Sequence, residues 1–312
     1  MDTPRVTVVT VVRNLVEAKR ADMFRQCVES VRGQSWPAVE HLIIDGASTD
    51  GTVNILEQYA RQGTLTYRSA PDRGIYDAMN AGLELAGGEF VTFLNSDDFY
   101  HDSHFLEVSV QTLLQTGADC SYAPVRMISE TGQISEREPY FGACLLYQPI
   151  CHQTMVYKAD ILHHYPFHLN FSIAADYEQI LRLLLDGRHF CKVPLCSATF
   201  RAGGWSVRDI SRGNADIALV HLSLYPAWGM SPKQCEQLSE SHYIPYSVFQ
   251  TMLAAIFPEH RPLFKQWRRK EARRQIRHWF LTWKYREGRR SIRILGIWLS
   301  RRRQPASSPD KV

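Results

Sequence analysis

The first apolar stretch of the chain, VTVVTVV (Val6–Val12), is β-branched, short and uniformly hydrophobic. An amphipathic helix would alternate its faces, so this run predicts a strand buried on both sides. Residues 20–33 follow with Met23, Cys27, Val28 and Val31 on one helical face, and HLIID (His41–Asp45) is a second buried strand. The turn GASTDGT leads into a helix with Ile55, Leu56 and Tyr59 inward. A short strand over Leu65–Ser69, a helix over Ile75–Ala86 and the strand EFVTFLN (Glu89–Asn95) complete four strand–helix alternations. Such alternation with short turns implies right-handed crossovers and an α/β fold, a mostly parallel sheet flanked by helices. From about 120 to 200 the pattern predicts strands over Ser121–Ile128, Thr154–Tyr157 and Lys192–Phe200 around a helix over Ala174–Leu185.

In sheets of this kind ligands bind beyond the carboxyl ends of the strands, where loops and helix N-termini converge. Those ends carry Arg13 and Asn14, Asp45 to Asp50, Asp72 and Arg73, and Asn95 to Asp98. In Asn95-Ser96-Asp97-Asp98 two adjacent carboxylates are crowded at a sheet edge, which favours a neutralising cation, and hard oxygen donors suit Mg²⁺ or Mn²⁺. The same pair could instead cap the helix beginning near Ser103. Asp45 is followed by small residues that let a planar ligand approach, and its carboxylate can accept from a base N–H or a ribose hydroxyl. Asp50 reads as the cap of the next helix. Neither G-x-x-x-x-G-K-[ST] nor G-x-G-x-x-G follows the first strand, which disfavours P-loop phosphoryl transfer and the usual dinucleotide fold. The missing Lys-bearing phosphate loop also argues against a nucleotidyltransferase.

The ordered segments VTVVTVVRN, HLIIDGASTDGT, APDRGIYDAMNAG and GGEFVTFLNSDD resemble the family-2 inverting glycosyltransferases of the GT-A fold, in particular the bacterial surface-polysaccharide branch. ICHQTMVYKADIL and IAADYEQILRLL are similar to that family's acceptor-side segments, so the likeness spans roughly 1–205. It implies a metal-dependent transferase of hexosyl or N-acetylhexosaminyl type, moving a sugar from a nucleotide-sugar donor to a glycan or polyprenyl-linked acceptor. The donor it favours is a UDP-sugar, with GDP- or dTDP-sugars as alternatives. By position, Asp45 would contact base or ribose. Asn95 with Asp97 would occupy the metal-binding D-x-D, with Asp97 the direct ligand to Mn²⁺ or Mg²⁺ and Asp98 beside it at the metal. Asp176 would be the general base, and Arg73, His152 and Arg201 would contact donor, acceptor or phosphate. Four positions depart from the family pattern: Gly46 replaces a second Asp, Asn95 the first acid of D-x-D, Ala175 the Glu before the base, and Met79 an Arg. These departures keep open a non-catalytic nucleotide-sugar or membrane-binding module of the same fold. The loop Gly203-Gly204-Trp205-Ser206 resembles the family's loop that closes over the donor; a tight turn with a packed Trp is the other reading.

Charge adds a second feature. Between Arg261 and Arg303, 16 Lys and Arg stand against two acids, a local +14 within an overall +4, so the rest of the chain carries −10. Ile276, Trp279, Phe280 and Trp283 fall on one face at helical spacing, the arrangement of an interfacial helix on anionic lipid. Packing on the body and a nucleic-acid patch compete with that reading, the latter the weakest. The expected organisation is a catalytic domain over 1–206, with a nucleotide-sugar half over about 1–100 and an acceptor half over about 101–206. A helical basic extension over 207–303 and a disordered 304–312 follow. Seven cysteines without C-x-x-C, no signal-peptide pattern and no long apolar span predict reduced thiols and a cytoplasmic protein, peripheral on the inner face of the cell membrane.

Overall fold

A computed structural model describes residues 3–202 and 210–280, and the strands at 282–286, 289–294 and 297–302. The chain forms β1 (Val6–Val12), α1 (Ala21–Arg32), β2 (Val39–Asp45), α2 (Thr52–Arg61), β3 (Thr66–Ser69), α3 (Ile75–Leu85) and β4 (Phe90–Phe93). Then come β5 (Phe99–Tyr100), α4 (Phe105–Thr116), β6 (Cys120–Tyr122), β7 (Val125–Ile128) and β8 (Ile134–Arg137). β9 (Met155–Lys158), α5 (Ala159–Leu162), α6 (Ala175–Leu185), β10 (Phe190–Lys192), β11 (Ala198–Arg201) and α7 (Ile210–Leu224) complete the part that bears on the site. The main sheet runs β10-β6-β9-β4-β1-β2-β3, with β4, β1, β2 and β3 parallel and β9 antiparallel to both its neighbours. A second sheet, β5-β11-β7-β8, flanks the acceptor-side half. This is the expected α/β architecture.

Two predicted strands are each split. Ser121–Ile128 becomes β6 and β7 in different sheets, and Lys192–Phe200 becomes the end of β10 and most of β11. Pro124 and Pro194 lie at the breaks, where a residue without an N–H cannot continue a ladder.

Burial explains the rest. Val6, Val8, Phe90 and Leu94 pack with Phe105, Leu106 and Val110 of α4 on one side, while Val12 and Ile43 pack with Phe24 of α1 and Leu56 of α2. Helix α3 lies so close to the sheet that a Cβ on Gly82 would overlap the Val9 side chain of β1.

Helix α7 and the helices through Tyr246–Ala255 belong to the same compact unit as the sheet, which extends from Met1 to Arg261. The compact body thus runs well beyond the expected boundary at 206, because His221 and Tyr225 bury their rings and polar tips in it. His221 Nε2 lies 3.1 Å from Tyr177 Oη, and the Tyr225 hydroxyl donates to Leu145 O at 2.6 Å.

The second unit, Pro262–Val312, departs from expectation in its fold. A helix covers Arg261–Phe280, but β12 (Thr282–Arg286), β13 (Arg289–Ile294) and β14 (Ile297–Arg302) form an antiparallel meander. Trp283 therefore does not share a helical face with Ile276, Trp279 and Phe280. TWKYR, RRSIRI and IWLSRR are rich in aromatic and β-branched residues spaced by two, and strand periodicity prevails over helical spacing there. Among the described residues no helix is long and apolar enough to cross a membrane. The 203–206 loop and the 304–312 tail lie outside the described residues.

All seven cysteines are free, and burial pushes the Cys27 and Cys151 thiols up to about 12.

Three buried histidines give the fold an acid weakness. Burial lowers His41 to about 3 and His221 and His260 to about 4, so all three rings stay neutral in the folded chain. Below the ordinary histidine value near 6.5 the unfolded chain takes up three protons that the folded chain refuses. Asp98, raised to about 7 by burial and by the Asp97 charge, works in the opposite sense and returns one. The unfolded chain therefore still gains the larger share of protons, and stability falls as pH drops from 6 to 5. The urea midpoint should therefore drop over that interval; a flat profile would mean that the rings titrate normally in the fold.

Candidate active site

The strand ends open on a cleft of about 610 Å³ bordered by Arg13, Asp72, Asn95, Asp97, His152 and Asp176, among others. They come from five segments: after β1, after β3, after β4 (both Asn95 and Asp97), before β9 and at the start of α6. Asp97 and Asp176, 79 positions apart in sequence, line this one cavity.

Asp176 is buried in the first turn of α6, where the helix dipole favours an anion. Its Oδ2 accepts from Gln148 Nε2 at 2.7 Å and from His152 Nδ1 at 3.1 Å, and its Oδ1 accepts from the Tyr177 amide at 2.9 Å. The Tyr76 hydroxyl lies 3.2 Å from Oδ1 and also donates to Ile173 O. Burial alone would raise this carboxyl, but the His152 and Gln148 contacts outweigh it and hold Asp176 below the ordinary carboxylate value. It is an ionised, oriented carboxylate.

Asn95 Oδ1 is buried without a hydrogen-bond partner, and Asn95 and Asp97 line the same cleft as Asp176. Asp98 turns inward. Its Oδ1 accepts from the Arg201 amide at 3.0 Å and its Oδ2 from Gln153 Nε2 at 2.8 Å, beneath the cleft rather than on it. The expected second metal ligand is thus occupied as a buried brace, because the chain buries one of two adjacent carboxylates and pairs it. Among the described residues no group of three His, Cys, Asp or Glu could hold a metal by itself. One cleft-lining carboxylate, paired only with Arg20 among the described ion pairs, and one orphaned amide oxygen do fit a hard divalent ion that completes its shell with substrate phosphates and water, the usual habit of Mg²⁺.

The remaining expected residues divide. Arg201 borders the cleft, but its guanidinium donates to Asp97 O and Gln26 Oε1 and lies 4.8 Å from the Phe99 ring centroid, so it fixes the acidic loop. Asp45 ends β2 as expected, yet it is fully buried and turned into its own loop, accepting from the Ser48 amide at 3.0 Å and the Ser69 hydroxyl at 2.6 Å. Arg73 lies outside the cleft, paired with Asp77 at 2.8 Å on the surface. Neither Asp45 nor Arg73 joins the cleft lining. Gly46 has its own reason: a Cβ there would meet Asp72 Oδ2 at 2.4 Å, so the missing side chain makes room for that acid.

Arg20, Tyr76, Gln148 and Gln153 take part without having been singled out by sequence. Gln153 closes the ICHQ segment and Gln148 stands two residues before it, a signal that was available; Arg20 sits in a polar stretch with none.

A mostly parallel sheet whose strand-end acids share a cleft with an acid from a distant helix is the architecture of a GT-A glycosyltransferase. Residues 7–177 match the family model of glycosyl transferase family 2, and the chain belongs to that family. An uncharacterized glycosyltransferase of Mycobacterium tuberculosis is 31% identical over 188 residues, which cover 58% of this chain and 70% of that protein. A PGL/p-HBAD biosynthesis glycosyltransferase of the same organism is 29% identical over 165 residues, 50% of this chain and 62% of its own length. Among solved structures, S. aureus TarS 1–349 in complex with UDP-GlcNAc superposes with a TM-score of 0.57 at 16% identity, covering 93% of this chain and 97% of that one. A Pyrobaculum calidifontis mannosyltransferase with GDP-Man and Mn²⁺ gives 0.57 at 16% identity, over 88% and 76%. At such identities these two likenesses speak for the fold.

Proposed function

We propose that the chain is an inverting, metal-dependent glycosyltransferase that moves a hexosyl or N-acetylhexosaminyl group from a nucleotide-sugar to a hydroxyl of a glycan or polyprenyl-linked acceptor in surface-polysaccharide assembly. The observation that carries this reading is the shared cleft of Asp97 and Asp176. Inversion is a single in-line displacement, which needs a base on one face of the sugar and leaving-group stabilisation on the other. Asp176, ionised and held by Gln148 and His152, draws the acceptor hydroxyl's proton. Asp97 and the Asn95 amide oxygen would hold Mn²⁺ or Mg²⁺. When bound, the ion supplies Lewis-acid stabilisation of the leaving diphosphate. Solved proteins of this fold with UDP-GlcNAc and with GDP-Man and Mn²⁺ support a nucleotide-sugar donor. The relative named for PGL/p-HBAD biosynthesis supports a cell-surface glycan product.

The basic C-terminal unit fits the anionic inner face of the cell membrane, where a polyprenyl-linked acceptor resides.

Thermal unfolding with UDP-, GDP- and dTDP-sugars, each with and without Mn²⁺, tests the donor assignment. A true donor at 100 times its Kd should stabilise the folded chain by about 2.7 kcal/mol. The expected result is one nucleotide class that shifts the melting temperature, more strongly with Mn²⁺, and releases diphosphate on incubation. No shift with any nucleotide-sugar would remove the donor reading. Saturable binding without diphosphate release would favour a non-catalytic module.

A further inference from the structure

Arg20 lies where its guanidinium answers Asp97. Its Nη1 is 3.3 Å from Asp97 Oδ2, and both residues line the cleft. The Asp97 side chain is 16% exposed and that of Arg20 34%, so the pair sits at the cleft surface and the arginine has room to turn. The other charges near Asp97 are already spoken for. Asp98 is tied to Gln153 and the Arg201 amide, and the Arg201 guanidinium is held by Asp97 O and Gln26. Arg20 is therefore the movable cation paired with this carboxylate among the described residues.

We infer that Arg20 is a resident cation that neutralises Asp97 in the ligand-free chain and passes to the diphosphate of the incoming donor, so that a divalent ion is captured only together with that diphosphate. The inference rests on the reading of Asp97 as a metal ligand. The donor set makes the coupling necessary. One carboxylate and one amide oxygen fall well short of the six oxygens a hard divalent ion requires, and substrate phosphates must supply more. Until they arrive, a tethered guanidinium outcompetes a hydrated ion for the single negative charge. A guanidinium also matches phosphate oxygens bidentately, so the diphosphate draws Arg20 away and delivers ion ligands in the same event. Arg20 immediately precedes α1, and its backbone carbonyl accepts from the Phe24 amide at 2.9 Å, so the transfer needs only side-chain rotation.

Mn²⁺ binding to the full chain, read from the electron paramagnetic resonance signal of the free ion, tests this without any turnover. With Mn²⁺ alone, wild type should bind weakly. Arg20→Gln should bind at least about fivefold more tightly, the scale of one partly exposed ion pair. Adding Asp97→Asn should abolish that gain. In the absence of metal, Arg20→Gln should bind UDP and GDP more weakly than wild type. Opposite shifts for metal and nucleotide cannot arise from a damaged fold, which would weaken both, and Arg20→Lys should fall between the two proteins. Equal Mn²⁺ affinity of wild type and Arg20→Gln would overturn the role of Arg20 while leaving Asp97 as a ligand. If Asp97→Asn left Mn²⁺ binding unchanged in the presence of UDP or GDP as well, the metal-site reading would fall with it.

Discussion

Asp176→Asn should lower sugar transfer at least about 100-fold and leave donor binding intact, since general-base assistance is typically worth about 10² to 10⁴ in rate. The substitution keeps the shape and the oxygen that accepts from the Tyr177 amide. It removes the charge, and it sets an amide N–H₂ against the Gln148 and His152 donors that the carboxylate now receives. Mispairing of a buried group costs about 1 to 3 kcal/mol, so the melting temperature should fall as well. The decisive comparison is therefore at a temperature where the variant is folded and saturated with donor. Diphosphate release and product formation are measured there against wild type. Near-normal turnover under those conditions would mean that another group takes the acceptor's proton.

The second large effect is expected at Asp97. Asp97→Asn leaves two amides, residues 95 and 97, where the family pattern has two acids, and so removes the formal charge available to a divalent ion at the cleft surface. Turnover should fall about 10² to 10³-fold, the scale seen when one preorganised stabiliser of developing charge is deleted. The enhancement of nucleotide-sugar affinity by Mn²⁺ should disappear. Folding stability should change little, because the lost contact to Arg20 is a partly exposed ion pair worth at most about 1 kcal/mol. Removal of Asp97 also relieves the like charge pressing on buried Asp98. Titrations of nucleotide-sugar with and without Mn²⁺, read beside the melting temperature, check all three points. A variant whose donor affinity still rises with Mn²⁺ would place the ion elsewhere.

The two acids differ in how they are held. Asp176 is braced by side chains from the segment before β9, so its position depends on that segment packing against α6. Asp97 is braced through its backbone: the Arg201 guanidinium grips its carbonyl oxygen, while Arg201 N and Gln153 secure Asp98. Gln153 and His152 are adjacent and serve different acids, one Asp98 and the other Asp176. The three-residue 3₁₀ turn His152–Thr154 thereby binds both acids.

Much of this was legible in the chain itself. VTVVTVV, HLIID and EFVTFLN have a composition that only a doubly covered strand can bury, and the polar residues after them mark the ligand edge. The roles of individual acids were less legible. Asp45, Asp97 and Asp98 all stand just beyond apolar strands, and nothing in their local sequence says which carboxylate faces the cavity. Ser48 and Ser69 claim the first, and Gln153 with the Arg201 amide claims the third. Both decisions depend on partners at least three and as many as 103 positions away. The basic tail misled for a different reason, since arginines and aromatics spaced by two, three and four satisfy helical and strand periodicities at once.

The hydrophobic pattern and the order of the motifs by themselves determined the parallel sheet, its ligand-bearing edge, the family and the short set of acids from which the site is drawn. Burial of β-branched runs is a local demand that each segment states for itself. Tertiary structure alone decided that Asp97 and Asp176 look into the same cleft, that Asp98 and Asp45 do not, and that Arg20 is the partner of Asp97. Those outcomes rest on desolvation and pairing between segments far apart in the chain, energies that exist only once the sheet has brought them together.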